Sequence, residues 1–240
     1  MKTQELRTVG EIAASSLAAV NVFEKHEIDY CCGGKRKLDD ICREKGLAAD
    51  SLMQEIDLAN STPSNSSGDW NTASLRSLIQ HILRTHHAYL KVELPRVGMR
   101  LSKVTQVHGS KDPVMLEELE SVYDDMWQEL DMHMRKEEMM LFPSIERYEA
   151  AIEAGLPLPA APFGTIANPI GVMEAEHASA GWALGRIREL TRNFQTPEWA
   201  CATYRALLDG LRSLEADLHI HIHLENNILF PRVIAMERRR

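Results

Sequence analysis

Apolar residues recur along this chain at intervals of three and four, with polar residues between them, and no segment shows a convincing strand alternation. Near the N-terminus Thr8 and Glu11 form a capping-box pattern, and Ile12, Leu17, Val20 and Phe23 follow at helical spacing. They predict a helix running to about His26. It should stop before Tyr30-Cys31-Cys32-Gly33-Gly34, because paired glycines permit a sharp turn. A second helix is predicted over Leu38–Lys45, ended by Gly46, and a third over about 50–58. Residues 60–69, NSTPSNSSGD, are small, polar and broken by proline and glycine, which predicts a flexible, exposed linker. The pattern divides the chain into a small helical domain at 1–59, the linker at 60–69 and a larger domain at 70–240.

Four long helical patterns fill the larger domain. The first starts near Thr72, carries Leu75, Leu78, Ile79, Ile82 and Leu83 on one face, and should kink at Pro95 on its way to about Val107. Asp112-Pro113, Asn168-Pro169 and Thr196-Pro197 each place a capping residue before a proline at the first helical position. Helices are therefore predicted over about 113–150, 169–193 and 197–235, with Pro143 and Pro231 kinking or ending the second and fourth. The expected fold is all-α, an up-down-up-down four-helix bundle with a small N-terminal helical domain. Trp127, Trp182 and Cys201 read as core positions.

One pattern occurs twice. Residues 133–143 read HMRKEEMMLFP and residues 221–231 read HIHLENNILFP, both spelling H-x-x-x-E-x-x-x-L-F-P. A spacing of four puts His133 above Glu137, and His221 above Glu225, on one helix face that Leu141 and Leu229 continue. An ionised carboxylate in an apolar stripe is costly unless a positive partner meets it. No lysine or arginine stands at the same place in both copies, and a metal ion answers the problem twice over. His86 lies 47 residues before His133, and His177 lies 44 before His221. The bundle then reads as two hairpins, each offering one histidine from its first helix and a His/Glu pair from its second. Four histidines and two carboxylates are too many for one tetrahedral zinc. They suit two metals, each with two histidines, bridged by the carboxylates and an oxo or hydroxo ligand. With no thiolate in the set, iron is favoured. His219 and His223 stand about 200° round the helix from His221 and are set aside, while His87 lies about 100° from His86.

Composition narrows the function classes. A net charge of −8 and a pI of about 5.7 argue against a nucleic-acid partner, which needs a basic face. The terminal Glu-Arg-Arg-Arg run reads as a solvated tail. No stretch approaches the ~18 apolar residues of a membrane span, and the first residues lack the apolar run of a signal peptide. Four cysteines, two of them adjacent, make no disulfide framework in a chain of this length, so a cytoplasmic location is expected. Cys31 and Cys32 precede Lys35, Arg36 and Lys37, cations of the kind that lower a thiol pKa, and neighbouring cysteines bond to each other only with strain. Glu129, one turn before His133, and Glu176, directly before His177, are candidates to accept the second N–H of a metal-bound histidine.

Together these motifs carry a resemblance. The bundle looks like a hemerythrin-type domain. DYCCGGK (29–35), HMRKEEMMLFP, EAEH (174–177) and HLENNILFPR (223–232) resemble the iron–sulfur cluster repair di-iron proteins of the YtfE/ScdA/RIC family over nearly the full length. The choice of His86 over His87 rests in part on that resemblance. Hemerythrins proper use one more histidine, and a set of four implies a more open iron. The resemblance implies a stress-response protein with two non-haem irons that restores iron–sulfur clusters damaged by oxidative or nitrosative stress, by donating iron or by reducing NO. It implies damaged iron–sulfur proteins as partners, a transient thiol site at Cys31 and Cys32 for iron hand-over or redox exchange, and a homodimer through the N-terminal domain. The competing class is a module that takes up O2 or NO reversibly and signals, for which no output domain is recognisable.

Overall fold

The computed structural model describes residues 7–61, 69–160 and 162–238. Most of the expected linker, residues 62–68, and the end of the C-terminal arginine run lie outside them. Among the described residues there is no strand, only a single antiparallel bridge between Thr8 and Lys37. No helix there is long and apolar enough to cross a membrane. The chain forms two compact units, residues 1–78 with 219–240, and residues 79–218.

The first unit holds α1 (Val9–Ser15), α2 (Leu17–Lys25), α3 (Leu38–Lys45) and α4 (Ala49–Asn60). Thr8 and Glu11 make the reciprocal capping box as the pattern predicts. The single helix expected up to His26 is two. Ser16 is extended at φ −166°, and its hydroxyl accepts the Ala19 N–H at 3.0 Å, so it ends α1 and caps α2. A serine that bonds the backbone locally competes with helix continuation. Gly46, at φ +67°, closes α3. Ile12, Val20, Phe23, Tyr30, Ile41 and Leu52 are buried at the centre of this unit. The same unit contains the C-terminal segment, where the Arg232 guanidinium donates to the carbonyls of Trp70 at 2.7 Å and Ala73 at 2.6 Å.

The second unit is the bundle. After α5 (Leu75–Ile82) come α6 (Ala88–His108), α7 (Pro113–Lys136), α8 (Phe142–Glu153), α9 (Ala167–Leu190) and α10 (Ala202–His223), the last reaching beyond the unit, with α11 (Phe230–Arg238) following. Pairings run in opposite directions along each neighbour. The Tyr123 hydroxyl donates to the Leu94 carbonyl at 2.8 Å, joining α7 to α6. Between α9 and α7, Arg186 donates to Glu118 at 2.7 Å near one end, and the Ser179 hydroxyl to Glu129 at 2.8 Å further along. Arg188 donates to Glu215 at 3.0 Å between α9 and α10. The result is the up-down-up-down ring that four helical patterns predict.

Boundaries differ in detail. Asp112 caps α7 as expected, accepting the Met115 N–H at 3.4 Å. By contrast α9 begins at Ala167 with Asn168 and Pro169 inside its first turn, and α10 begins at Ala202, well after Pro197. At Leu83–His87, Glu137–Leu141 and Leu224–Leu229 the helix widens to a π turn. The N–H of Ala88 reaches the Leu83 carbonyl, Phe142 reaches Glu137, and Phe230 reaches Glu225, each five residues back. Pro143 and Pro231 come directly afterwards. Neither has an N–H to place, and a proline ring would strike the carbonyl four residues behind it in a regular α-helix. The expected kinks at these prolines are thus widened turns lying just before them. Pro95 sits within α6. Trp182 is 68% exposed and Cys201 is exposed, so these two residues read as core lie at the surface.

Close approach of α6 and α10 sets a test. A Cβ on Gly210 would meet Val97 Cγ2 at 2.9 Å, whereas one on Gly185 of α9 would meet nothing within 4 Å. Because Val97 is buried and stiff, Gly210→Ala should destabilise by about 1–3 kcal/mol despite the better helix propensity of alanine. Gly185→Ala should stabilise by roughly 0.5–1 kcal/mol. Urea unfolding of the two variants checks both signs.

Candidate metal centre

Glu137 is the hub of the polar cluster in the bundle unit. It opens the π turn after α7 and is 0% exposed. Its Oε2 lies 3.3 Å from His87 Nε2 and 3.4 Å from His133 Nε2. His177, on α9, brings its Nε2 to 3.0 Å from that of His133. All three imidazoles are buried, and donor atoms of His133, Glu137 and His177 lie within 4.8 Å of one another. In the other unit His221 and Glu225 repeat the motif, both buried, with Nε2 at 3.0 Å from Oε1.

The structure directs His87, and not His86, at Glu137. His86 turns its Nδ1 to Asp217 at 2.9 Å and sets its ring edge-on to His81, with centroids 5.6 Å apart. The reason is the π turn at Leu83–His87, which takes up an extra residue. Counting 100° per residue along an unbroken α-helix misjudges the face beyond such a turn.

Carboxylates hold the imidazoles from behind. His87 Nδ1 lies 2.8 Å from Glu138 and His133 Nδ1 lies 2.8 Å from Glu176. An ionised carboxylate only accepts, so each ring carries its proton on Nδ1 and turns the Nε2 lone pair inward. Lys91 donates to Glu138 at 2.7 and 2.8 Å, and Lys136 pairs with Glu176. Burial works to raise both carboxyls, but these hydrogen bonds overcome it and leave each below its ordinary pKa. Both therefore stay ionised as acceptors. Glu176 serves His133 on the neighbouring helix instead of the adjacent His177, and Glu129 accepts from Ser179. The sequence reading passed over His87, Glu138 and Asp217. His87 left a signal as the neighbour of His86, and Glu138 as the second acid of the Glu137-Glu138 pair.

The second copy of the repeat departs from the first at this point. Where the first has Glu138-Met139, the second has Asn226-Asn227. Asn226 donates to the Cys31 carbonyl at 3.1 Å, and Asn227 donates to the Tyr30 carbonyl at 2.9 Å and to His223 Nδ1 at 2.9 Å. Burial pushes His223 down to about 4, so it is a neutral acceptor at ordinary pH. A Cβ on Gly34 would meet Asn227 Oδ1 at 2.6 Å and the Tyr30 carbonyl at 2.7 Å, so only glycine fits there. Asp29 folds the cysteine loop by accepting the N–H groups of Cys32 and Gly33, each at 2.9 Å. Cys31 Sγ lies 3.4 Å from Asp29 Oδ1 and 3.8 Å from Cys32 Sγ, and these three residues form a second group of metal-capable donors. The Cys31 thiol is raised by its hydrogen bond with Cys32, by burial and by the nearby charges, opposite to the lowering expected from the following cations.

Imidazole nitrogens gathered about a buried carboxylate are the donor set of a first-row transition metal. An ionised glutamate in so dry a place otherwise carries a desolvation penalty of several kcal/mol. Comparison with known proteins agrees. Residues 5–60 match the ScdA N-terminal domain, a domain of unknown function (DUF542), and residues 78–233 match the hemerythrin HHE cation-binding domain. The iron–sulfur cluster repair protein YtfE of Yersinia pestis (strain Pestoides F) is 36% identical over 231 residues, covering 96% of this chain and 98% of that protein. The protein of the same name from Yersinia pseudotuberculosis (serotype O:1b) matches to the same extent. The chain therefore belongs to the YtfE family of iron–sulfur cluster repair proteins, with an HHE cation-binding domain as its larger part.

Proposed function

We propose that this protein restores damaged iron–sulfur clusters in the cytoplasm by donating iron held by the histidines and glutamates of its H-x-x-x-E repeats. Iron would be held by His87, His133, Glu137 and His177, and by His221 and Glu225. When bound, it supplies a labile, redox-active metal. The work of the chain itself is to orient donors. Glu138 and Glu176 keep the protons of His87 and His133 on Nδ1, so that Nε2 lone pairs face inward at all times. The burial of Glu137 and Glu225 excludes water from the carboxylates.

One observation favours donation over NO reduction as the primary activity. Asn226, the residue after Glu225, holds the Cys31 carbonyl, so a thiol and carboxylate cluster is tethered directly to the turn that presents a ligand carboxylate. Asp29, Cys31 and Cys32 are thus the proposed exit station through which iron passes to a damaged iron–sulfur protein.

Iron-loaded protein should restore activity to an apo-cluster enzyme in step with its own loss of iron. Equal recovery with iron-free protein rules donation out. His133→Ala and Glu137→Ala should each abolish iron retention, and Glu138→Gln or Glu176→Gln should weaken it by about 10–100-fold, as metal titration will show. Cys31→Ser with Cys32→Ser should keep the iron content and slow the transfer. If anaerobic NO instead yields N2O at a rate that the double serine variant leaves untouched, redox catalysis is the primary activity.

A further inference from the structure

At the opposite end of the bundle from Glu137, where α6 finishes and α10 begins, a second kind of chemistry is assembled. His108 Nε2 lies 3.2 Å from Cys201 Sγ. Cys201 is exposed, and its carbonyl accepts the Arg205 N–H at 3.1 Å as α10 starts. The imidazole is held in place by two aromatic rings. Trp199 lies 5.4 Å from it, tilted, and Tyr204 lies 5.9 Å from it, edge-on, while those two rings meet each other edge-to-face at 5.2 Å. Tyr204 is buried and anchors the group to the bundle. A thiol with a base at hydrogen-bond distance, the base in turn oriented by its surroundings, is the arrangement that activates a cysteine nucleophile. Neither Cys31 nor Cys42 resembles it, since both are buried.

We propose that Cys201 and His108 form a thiol-exchange site that captures low-molecular-weight disulfides as a mixed disulfide on Cys201. In this step the Cys201 thiolate attacks one sulfur of the disulfide. One S–S bond forms and one breaks, Cys201 is oxidised, and the departing sulfur leaves as a thiolate that takes up the proton released by Cys201. The hydrogen bond from His108, then the N–H of Tyr204, outweigh burial and, with the N–H of Thr203 and the charge of His108, bring the thiol down to about 7. A thiol that titrates near the ambient pH is the best attacker in disulfide exchange, because thiolate fraction and nucleophilicity balance there. The site stands apart from the iron ligands and needs no metal.

The test uses the full-length protein with glutathione disulfide as probe, following the Cys201 mixed disulfide by peptide mass spectrometry between pH 6 and 9. At pH 6 the low pKa gives roughly 30-fold more thiolate than an ordinary cysteine, offset about 5-fold by weaker nucleophilicity. Cys201 should therefore react about 6-fold faster than a cysteine peptide at pH 6, with its rate half-maximal near pH 7 and one equivalent of reduced glutathione released. His108→Gln should lose that advantage at pH 6 and move the midpoint up towards ~8.5. His108→Asn serves as a second variant, each checked for folding by circular dichroism. A wild-type midpoint at the ordinary thiol value, or a profile unchanged in both folded variants, overturns the proposal.

Discussion

A carboxylate with no exposed surface, ringed by imidazoles, is the constraint around which the bundle is arranged. Glu137 cannot sit in a dry helical stripe on its own account, because hydrophobic packing offers nothing to an ionised oxygen. Cationic or metal-binding neighbours must come to it from other helices, and that demand fixes the rotation of α7 and α9 and of the turn before α6. Local charge is then balanced outward in layers. Imidazoles face the glutamate, Glu138 and Glu176 face the imidazoles, and Lys91 and Lys136 face those acids. Each layer is more solvent-exposed than the one inside it. The costly group is thereby tied to bulk water through a relay of alternating partners.

Much of this was readable from residue spacing. The all-α class and the pairing of His133 with Glu137 and of His221 with Glu225 follow from the 3.6-residue period, because i and i+4 share a face whatever surrounds them. What periodicity cannot show is where a helix changes pitch. His86 and His87 are neighbours, and only the widened turn decides which of them faces Glu137. Cys201 lies at the surface because α10 begins only after it, at Ala202, and Trp182 for a different reason. An apolar residue on a helix more often faces the core than the solvent, but nothing in the period forbids it from facing out, and surfaces carry many such side chains. Partners between helices, such as Glu176 with His133, are invisible to any argument confined to one helix.

The two copies of the repeat have parted company in a telling way. Both keep the His/Glu pair and the Leu-Phe-Pro ending. In the first copy the following acid, Glu138, turns to support a histidine, whereas in the second Asn226 and Asn227 reach for the backbone of the cysteine loop. An amide is suited to that task because it can donate to a carbonyl, which a carboxylate cannot. One half of the duplication thus serves orientation, and the other serves attachment of the N-terminal helices.

The widened turns have a consequence for how this chain can vary. Each stores one residue more than a regular helix of the same reach, and a proline locks two of the three against rewinding. Loss of a single residue anywhere in 137–141 would close the bulge with Phe142 and Tyr148 still on the core side, but would set the Pro143 ring against the carbonyl four residues before it. Elsewhere in these helices, where no bulge can absorb the change, a lost residue would spin all that follows by about 100°. Among descendants of this sequence, the number of residues in these bulges should be guarded more jealously than the identity of most side chains within them.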